Sequence, residues 1–522
     1  MTAGPVPHAE GGAPDDQSEV VAFLSRPDIH PGRGSVTVIQ THGALVFLAG
    51  DVALKIKRAV RYDYMDLSTL ELRERMIRRE LELNRPSAPK IYRDVISVTR
   101  EADGTLALGG AGEPVEWVLV MWRFPAGDEL TSVAARGALD DRMAAELGAN
   151  IFAYHQAAPR READGAGLMG AIVEELEHAF AGMHDALGAD RVGAYVAAAR
   201  AAHGRVSPLL TRRGAEGHIR RCHGDLHLRN LVLIDGHPVP YDALEFDEVL
   251  GTCDVLYDLA FLVMDLRHRG LHGAANITLN AYLLRALGAE DSGLAALPLF
   301  LAIRAAIRAM VQVQTDRATG HPGQTGGDAR GYLEDAVAVL APRQPRLIAV
   351  GGYSGTGKTT LAHALAHRIG AAPGAVHLRS DLERKAREGV AAETALSDAH
   401  YSRAARDEVY RAMLGRAGVI LAAGHSVLVD ATFLDPAQRD AVEQVALGAG
   451  VPFTGLWLAA PPEVLIARVS ARAGDASDAD ANVVRAQLRQ ACGAMSWTGI
   501  DAGGEMSATV AAAIAAIGVC DD

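Results

Sequence analysis

A complete phosphate-binding loop lies in the last third of the chain, at Gly352-Tyr353-Ser354-Gly355-Thr356-Gly357-Lys358-Thr359. It fits the pattern G-x-x-x-x-G-K-[ST], in which glycines let the backbone wrap closely around phosphate oxygens. Lys358 is expected to reach the β- and γ-phosphates, and the Thr359 hydroxyl is expected to hold Mg²⁺. The loop therefore predicts binding of ATP with Mg²⁺. The residues expected to contact the phosphates are Gly352, Ser354, Gly355, Thr356, Gly357, Lys358, Thr359 and Thr360.

The surroundings of the loop match its expected setting. The apolar run 347–350 predicts a buried strand before it, and Leu361, Leu365 and Ile369 stand four apart in a predicted helix after it. An ordinary glycine-rich turn is the alternative, but the strand, the lysine and the threonine together argue against it. The loop is expected to join a strand to a helix in an α/β domain.

Two acidic residues follow at the ends of predicted strands. Asp430 ends the apolar strand 426–430 and is predicted to lie near the Mg²⁺ of the loop. Asp381 follows the short strand 376–378, and a carboxylate at the C-terminal end of a strand lies in the ligand crevice of an open α/β sheet. Asp381 also suits the N-cap of the helix that follows it, and the two roles are compatible. Arg439 is predicted to face the substrate.

A second cluster of candidate residues lies upstream, at His223-Gly224-Asp225-Leu226-His227-Leu228-Arg229-Asn230. Asp225 and Asn230 stand five apart and Asp242 follows twelve residues later, which is the spacing of the kinase catalytic loop and its metal-binding aspartate. Asp225 is the candidate base for an acceptor hydroxyl, while Asn230 and Asp242 are candidate Mg²⁺ ligands. A predicted hairpin with its turn at Asp235-Gly236 places the two ligands at its two ends.

Residues before this cluster predict a small sheet and a helix that hold a lysine. Lys55 lies in the strand Val52-Ala53-Leu54-Lys55, at the position of the phosphate-contacting lysine of V-A-I-K. A helix with a capping box is predicted from about residue 68 to about residue 84. Glu80 is the expected carboxylate partner of Lys55, with Glu74 as the second candidate.

These motifs resemble two known families. Residues 35 to about 335 resemble the aminoglycoside phosphotransferase family, a kinase-like fold, through Lys55, Asp225, Asn230 and Asp242, with Asp258 and His155 as further matches. Residues 346 to about 500 resemble the P-loop kinase group that contains gluconate, polynucleotide 5′-hydroxyl and chloramphenicol kinases. The whole order resembles bacterial fusions of the two. The resemblance implies a two-lobed α+β kinase-like half followed by an α/β half with a parallel sheet and flanking helices.

In the P-loop half, the resemblance also suggests roles for charged residues. It makes Asp381 the base for the acceptor hydroxyl and Arg384 a ligand of substrate phosphate. Arg468 and Arg472 stand four apart, on one face of a helix, and resemble lid arginines that close over phosphates. A guanidinium is planar and always charged, which suits a transition state that carries negative charge. A solvated helix face is the alternative for these two arginines.

One departure from the kinase pattern leaves two interpretations of the N-terminal half open. No G-x-G-x-x-G precedes Lys55, and Thr41-His42-Gly43-Ala44 stands in its place. A single glycine cannot wrap phosphates as three can. Either side chains of this turn assist, or the half is a degenerate kinase that senses a ligand and regulates the P-loop half.

The boundaries predicted from composition are a flexible tail at 1–34 with a short helix at about 20–24, a kinase-like domain at 35–338, a linker at 339–345 and a P-loop domain at 346–522. The hydrophobic fraction of 49% is that of a globular protein. The four cysteines form no C-x-x-C, and the N-terminus has no signal-peptide pattern, so we expect a cytoplasmic protein. We expect no membrane span, because no apolar run approaches about 18 residues.

The sequence thus predicts an ATP- and Mg²⁺-dependent phosphotransferase that acts on hydroxyl groups of small molecules with two kinase-type domains. A nucleic-acid 5′-hydroxyl kinase is a further alternative, but the net charge of −13 disfavours nucleic acid as a partner. The acceptor and the oligomeric state do not follow from the sequence.

Overall fold

The computed structural model of the 522-residue chain describes residues 15–30, 34–62, 65–319, 326–471 and 476–518. The chain forms two compact units. Unit 1 comprises the described residues within Met1–Met143, Ala153–His268 and Phe300–Ala338, and unit 2 those within Ala144–Phe152, Arg269–Leu299 and Val339–Asp522. Two segments of the predicted kinase-like half, 144–152 and 269–299, therefore belong to unit 2.

Unit 1 begins with a six-stranded antiparallel sheet of strand order β1-β2-β3-β8-β6-β7, with a short hairpin β4-β5. Helix α1 (Ser18–Leu24) precedes the sheet, and helix α2 (Leu70–Asn84) begins after the N-cap Thr69, whose hydroxyl accepts the Leu72 N–H. The strands are β1 Thr37–Gln40, β2 Ala44–Ala49, β3 Val52–Lys57, β4 Arg61–Tyr62, β5 Met65–Asp66, β6 Tyr92–Arg100, β7 Leu106–Leu108 and β8 Glu113–Trp122.

The short helix predicted at about 20–24 within the tail is present as α1, and it is packed on the sheet instead of lying in a flexible segment. Val20, Phe23 and Leu24 of α1 are buried against Phe47 and Val98 of the sheet. Apolar residues three and four apart give a short helix one apolar face, and the open side of the sheet supplies the surface that buries it. Residues 1–14 lie outside the described residues.

The rest of unit 1 is mainly helical. Two short strand pairs, β9 with β12 and β10 with β11, hold the loop that carries Asp225 and Asn230. The predicted α+β fold class is confirmed. The elements are α3 Leu130–Ala135, α4 Asp141–Ala157 (with 144–152 in unit 2), α5 Gly165–Ala181, α6 His184–Leu187, α7 Ala189–Glu216, β9 Ile219–Arg221, β10 Leu231–Ile234, β11 His237–Pro240, α8 Glu248–Gly251, β12 Thr252–Asp254, α9 Val255–His268, α10 His272–Ala286 (in unit 2), α11 Leu297–Thr319 and α12 Gly326–Leu340.

Among the described residues, one helical run, Asp291–Thr319, has the length and apolarity of a membrane span, with a mean hydropathy of 1.8 in its most apolar window. However, 72% of that window is buried inside the protein. Burial of this extent is typical of a core helix, because the apolar side chains already have partners within the fold.

Unit 2 contains a five-stranded parallel sheet of order β14-β15-β13-β16-β17, which confirms the predicted α/β class. Its central strand β13 is buried along its whole length, as expected where helices cover both faces. The elements are β13 Leu347–Gly352, α13 Lys358–Ala366, β14 Val376–Arg379, α14 Ser380–Arg387, α15 Arg403–Ala422, β15 Val427–Asp430, α16 Pro436–Ala449, β16 Phe453–Ala459, α17 Pro462–Ala471, α18 Ala481–Arg489, β17 Thr498–Asp501 and α19 Met506–Ile517.

Helix α10 caps the free edge of this sheet. The Asn280 side-chain oxygen accepts the His377 N–H at 2.7 Å, and the Asn276 amide donates to the Ala375 carbonyl at 3.0 Å. An edge strand leaves such backbone groups without a partner strand, and a buried group without a partner is costly. The segment 269–299 is therefore an integral part of unit 2.

A buried ionic network ties the same segment to α14. Arg416 of α15 binds both carboxylate oxygens of Asp291, at 2.8 and 2.9 Å, and it also binds Glu383 of α14. The side chains of Arg416, Asp291 and Glu383 are only 10%, 1% and 3% exposed. Because α14 carries Asp381 and Arg384, this network fixes the helix that presents both candidate residues.

Replacing Arg416 by Met should destabilise unit 2 by about 3 kcal/mol or more, because two buried carboxylates lose their cation. Urea unfolding followed by tryptophan fluorescence measures this, in a background where Trp117 and Trp122 of unit 1 are Phe. Arg411→Met, on the exposed side of the same helix, is the control and should change stability by about 0.5 kcal/mol or less. Equal transition midpoints for the two variants would contradict the assigned role of the network.

Candidate active sites

In unit 1, Lys55 lies in the ion pair predicted for it. Its Nζ is 2.7 Å from Glu80 Oε1 and 2.9 Å from Asp242 Oδ1, whereas Glu74 pairs with Arg78 on the surface of α2. Burial alone would lower the pKa of Lys55, but the charges of Asp242 and Glu80 hold it well above its ordinary value. Lys55 is therefore a fixed positive charge in the cleft.

A second lysine extends this pair and was missed by the sequence analysis. Lys57 Nζ lies 2.7 Å from Glu80 Oε2 and also binds Glu245. Residues two apart on a strand share a face, so Lys57 follows Lys55 toward the same carboxylate. Glu80, whose side chain is fully buried, thus holds two cations.

The catalytic-loop candidates come together as their spacing predicted. The Asn230 amide nitrogen donates to the backbone carbonyl and to the carboxylate of Asp225, both at 2.9 Å. This orientation makes the Asn230 side-chain oxygen the atom available to a metal. The turn Asp235-Gly236, with φ of 54° and 81°, closes the predicted hairpin, and Asp242 follows its second strand.

Asp258 of α9 supports this loop from below. It accepts the N–H groups of His223 at 3.0 Å and Gly224 at 2.9 Å, and it lies 3.1 Å from His155 Nε2. Burial would raise the pKa of Asp258, but the hydrogen bond and charge of His155 outweigh it and lower the pKa to about 2. Asp258 therefore orients the loop as a carboxylate and does not face the cleft.

Some backbone N–H groups of the turn at 41–44 form hydrogen bonds within the turn itself. The Thr41 N–H donates to the Ala44 carbonyl at 2.9 Å, and the Ala44 N–H donates to the Thr41 hydroxyl at 3.1 Å. Arg58 also donates to the carbonyls of Thr41 and His42. Two amides that a glycine-rich loop would offer to phosphate are thus occupied. The cleft that this turn borders has a volume of about 410 Å³.

In unit 2, the phosphate-binding loop has the backbone that its glycines allow. Gly355 and Gly357 have φ of 86° and 87°, a region that favours glycine. A Cβ at Gly355 would lie 2.8 Å from the Leu465 carbonyl oxygen. Lys358 Nζ donates to the carbonyls of Gly352 and Tyr353, each at 2.9 Å. The loop thus forms a cradle of backbone atoms in which a side chain would not fit, and such a cradle suits a chain of phosphates.

The predicted metal ligands of unit 2 are in direct contact. The Thr359 hydroxyl donates to Asp430 Oδ2 at 2.6 Å, and His377 Nε2 lies 3.5 Å from the same oxygen. Burial would raise the pKa of Asp430, but the neighbouring His377, Lys358 and Arg379 lower it to about 2. A hydroxyl and an ionised carboxylate are oxygen ligands of the kind that Mg²⁺ prefers.

Asp381, Arg384 and Arg468 line the same cleft as Thr359 and Asp430, and this cleft has a volume of about 570 Å³. Asp381 Oδ1 accepts from Arg384 Nη1 at 3.0 Å, and the Arg384 guanidinium lies 4.6 Å from the centre of the Tyr401 ring. Arg468 lines the cleft and donates to the Ala502 carbonyl at 2.8 Å. Ser354, Gly355, Gly357 and Thr360 also face the cleft.

Thr356 has a structural place in the loop: its side chain is buried and donates to the Tyr353 carbonyl at 2.8 Å.

The prediction for Arg439 is wrong. Its guanidinium is buried and donates to four backbone carbonyls, those of Phe433, Leu434, Cys492 and Ala494. These bonds join two loops, so Arg439 is a structural residue. Arg472 lies outside the described residues.

Two further residues of this cleft could not be assigned from the sequence. The Gln487 side chain accepts the Ser354 N–H at 2.9 Å and donates to the Ser354 hydroxyl at 3.1 Å, so it contacts the phosphate-binding loop itself. Asp478 binds Lys385 at 2.8 Å and the Tyr401 hydroxyl. No pattern in the sequence assigned a role to Asp478 or to Gln487.

One family model and several known proteins match the chain. Residues 347–493 match the family model described as AAA domain. An uncharacterized protein of Mycobacterium tuberculosis (strain H37Rv) is 33% identical over 473 residues, which are 88% of this chain and 91% of that protein. A protein of Mycobacterium bovis, also named uncharacterized, matches to the same extent.

Two solved structures are similar to portions of the chain. A gluconokinase from Sinorhizobium meliloti 1021 is 24% identical and has a TM-score of 0.25, with 34% of this chain and 93% of that chain covered. A choline/ethanolamine kinase family protein from Mesorhizobium loti is 18% identical and has a TM-score of 0.35, with 62% of this chain and 93% of that chain covered.

The chain joins an α+β unit, whose cleft contains Lys55, Asp225, Asn230 and Asp242, to an α/β unit with a phosphate-binding loop. Its extended match to the mycobacterial proteins covers both parts. The chain belongs to the same family as these mycobacterial proteins.

Asp430→Asn should weaken binding of Mg²⁺–ADP to unit 2 by about tenfold or more, because the metal loses an ionised ligand. Calorimetry on a chain with Lys55→Ala and Asp242→Asn, which disable the other cleft, isolates this site. The exposed Asp440→Asn is the control. An unchanged affinity in Asp430→Asn would refute the metal assignment.

The direction in which pH should affect Mg²⁺ binding follows from the pKa of Asp430. The folded pKa of Asp430 lies below its ordinary value of 3.8, so the group stays ionised at neutral pH. Its contribution to stability is complete above the ordinary pKa and disappears as the pH falls through about 2. The Mg²⁺-dependent part of the affinity should therefore be flat between about pH 7 and pH 9.

Proposed function

We propose that the chain is a phosphotransferase in which both units transfer the γ-phosphoryl group of ATP to hydroxyl groups of small molecules. The observation that carries the proposal is that each cleft combines a fixed cation, a pair of side-chain oxygens that could ligate a metal and a further carboxylate. In unit 2 these are Lys358, the pair Thr359 and Asp430, and Asp381. This is the set of parts that phosphoryl transfer needs, because catalysis rests on positioning and charge stabilisation.

In unit 2, the loop amides and Lys358 would bind the triphosphate, and Thr359 and Asp430 would hold Mg²⁺. Bound Mg²⁺ supplies positive charge to the phosphate oxygens. Asp381 is the carboxylate that accepts the proton of the acceptor hydroxyl, and Arg468 adds charge on the cleft wall. Lys358, now bonded to two loop carbonyls, would exchange these for phosphate oxygens.

In unit 1, Lys55 would contact the phosphates, and Asn230 and Asp242 would hold Mg²⁺. Asp225 is the candidate base. Burial would raise its pKa, but the nearby imidazole of His227, 3.4 Å away, helps to hold the pKa well below its ordinary value. Asp225 is therefore an ionised acceptor at neutral pH, and the Asn230 amide fixes its orientation.

Lys358→Ala should abolish ATP turnover by unit 2, and Asp225→Ala should abolish transfer by unit 1. Transfer of labelled phosphate from ATP, tested on a panel of sugars, amino alcohols and antibiotics with the full chain, measures both. Each single variant should lose a different subset of acceptors, with rates reduced by about 10³-fold or more, and the double variant should lose all of them. Wild-type rates in both single variants would remove the proposal.

The second candidate function concerns unit 1 alone, as a ligand sensor that regulates unit 2. The self-bonded turn at 41–44 favours it, because that turn has fewer amides to offer to phosphate. Calorimetry of the Lys358→Ala chain with Mg²⁺ and ATP decides between the two. Heat from one remaining site, with turnover, supports the kinase; the absence of binding supports the sensor.

A further inference from the structure

A buried imidazole lies directly behind the candidate base of unit 1. His227, whose side chain is 7% exposed, belongs to the loop that carries Asp225 and Asn230. Its Nε2 lies 3.4 Å from Asp225 Oδ2, yet this buried nitrogen has no hydrogen-bond partner in the part of the chain that the structure describes. A buried polar group in that state is costly, so its position calls for a physical reason.

The other ring nitrogen determines where the imidazole proton lies. His227 Nδ1 accepts the backbone N–H of Arg229 at 3.2 Å, as the side-chain cap of the short 3₁₀ turn Leu228–Asn230. A ring nitrogen that accepts a hydrogen bond carries no proton, and a neutral imidazole has one donor and one acceptor. The proton therefore lies on Nε2, the nitrogen that faces Asp225.

Helix α9 fixes the orientation of this ring. Phe261 packs edge-on against the His227 ring, with the ring centres 5.1 Å apart and the planes at 74°. Asp265, one turn further along the helix, accepts the Leu228 N–H at 3.0 Å. Because residues three and four apart share one side of a helix, Asp258, Phe261 and Asp265 hold the catalytic loop together. His227 thus has little freedom to turn Nε2 away from Asp225.

Two donors are directed at one oxygen of the Asp225 carboxylate. The Asn230 side-chain amide donates to Oδ2 at 2.9 Å, and His227 Nε2 faces the same atom. The backbone N–H of His227 donates to the Asp225 carbonyl at 3.1 Å, which keeps the two residues in this relation. Oδ1 is consequently the oxygen that remains for a hydroxyl in the cleft that Asp225 lines.

We propose that His227 is a positioning residue of unit 1: its Nε2–H and the Asn230 amide hold Oδ2 of Asp225, so that Oδ1 meets the acceptor hydroxyl. This inference rests on the proposed function of unit 1. The contact of 3.4 Å is longer than an ordinary hydrogen bond, and the hydrogen bonds of catalytic groups commonly tighten when the substrate binds. His227 acts through Asp225, because its buried ring lies behind the carboxylate.

Each oxygen of Asp225 then has one task in the transfer step. The acceptor hydroxyl gives its proton to Oδ1 while its oxygen forms a bond to the γ-phosphorus. The bond between that phosphorus and the bridging oxygen of ADP breaks, and ADP leaves with the electron pair. His227 keeps its own proton throughout, since Nδ1 stays bonded to the Arg229 N–H.

Two substitutions separate the two nitrogens of His227. A glutamine amide nitrogen lies near the position of Nε2, so His227→Gln keeps a donor for Asp225 and loses the acceptor for the Arg229 N–H. The asparagine side chain is one carbon shorter and its oxygen lies near the position of Nδ1, so His227→Asn keeps that acceptor and loses the donor. A purely structural role predicts the higher activity for His227→Asn, and the positioning role predicts it for His227→Gln.

The measurement is ATP hydrolysis, with water in place of the acceptor, by the full chain carrying Lys358→Ala so that unit 2 does not contribute. His227→Asn should lower kcat about tenfold or more, because an ionised carboxylate loses a hydrogen bond, and should leave KM for ATP within about twofold. His227→Gln should lower kcat by less than about threefold. Equal rates in the two variants, or a lower rate in His227→Gln, would overturn the role.

A second readout does not depend on turnover. Nuclear magnetic resonance of the full chain with isotopically labelled histidine identifies the His227 signals by their loss in His227→Gln. We expect the proton on Nε2 and a bare Nδ1 at neutral pH, before and after addition of Mg²⁺ with a non-transferable ATP analogue. A proton on Nδ1 would overturn the assignment, because Nε2 could then not donate to Asp225.

Failure of the proposed function has a different signature. A Lys358→Ala chain that neither binds nor hydrolyses ATP would refute kinase activity in unit 1, and the positioning role would fall with it. A chain that hydrolyses ATP at one rate, with the native His227 and in both variants, would refute the positioning role alone.

Discussion

A buried charge must be compensated by buried partners, and in each unit a network that meets this constraint holds a candidate site in place. In unit 1, the fully buried Glu80 holds Lys55 and Lys57 and so fixes one wall of the cleft. In unit 2 the charges are reversed, because the single guanidinium of Arg416 binds two carboxylates, those of Asp291 and Glu383. Each network joins elements that are distant in sequence, and each ends at a helix or strand that carries a candidate catalytic or phosphate-binding residue.

Under the proposed function, the two units would bind the same ligand by different means. Unit 2 offers backbone: its glycines allow positive φ, and the loop leaves room for phosphate oxygens where side chains would not fit. Unit 1 offers side chains, since amides in the turn at 41–44 already bond within the turn. Phosphate binding in unit 1 would therefore depend more heavily on Lys55 and on a metal, which is the physical basis of the sensor alternative.

Local patterns allowed much of this to be predicted. The strand, loop and helix around Lys358 and the hairpin between Asn230 and Asp242 each depend on residues close in sequence. Features set by long-range packing could not be predicted. Arg439 looked like a substrate ligand, but its direction is set by carbonyls that lie up to 55 residues away. The membership of 269–299 in unit 2 depends on Asn280 meeting an edge strand 97 residues later, and no periodicity records such a contact.

The most direct test of the account is the position of the metal. Diffraction from crystals of the full chain grown with Mn²⁺ and a non-transferable ATP analogue would locate manganese by its anomalous signal. The account predicts one manganese beside Thr359 and Asp430, in contact with phosphate oxygens at about 2.2 Å, as for an octahedral oxygen site. It is contradicted if the nucleotide binds elsewhere in unit 2, or if the metal lies away from both of these side chains.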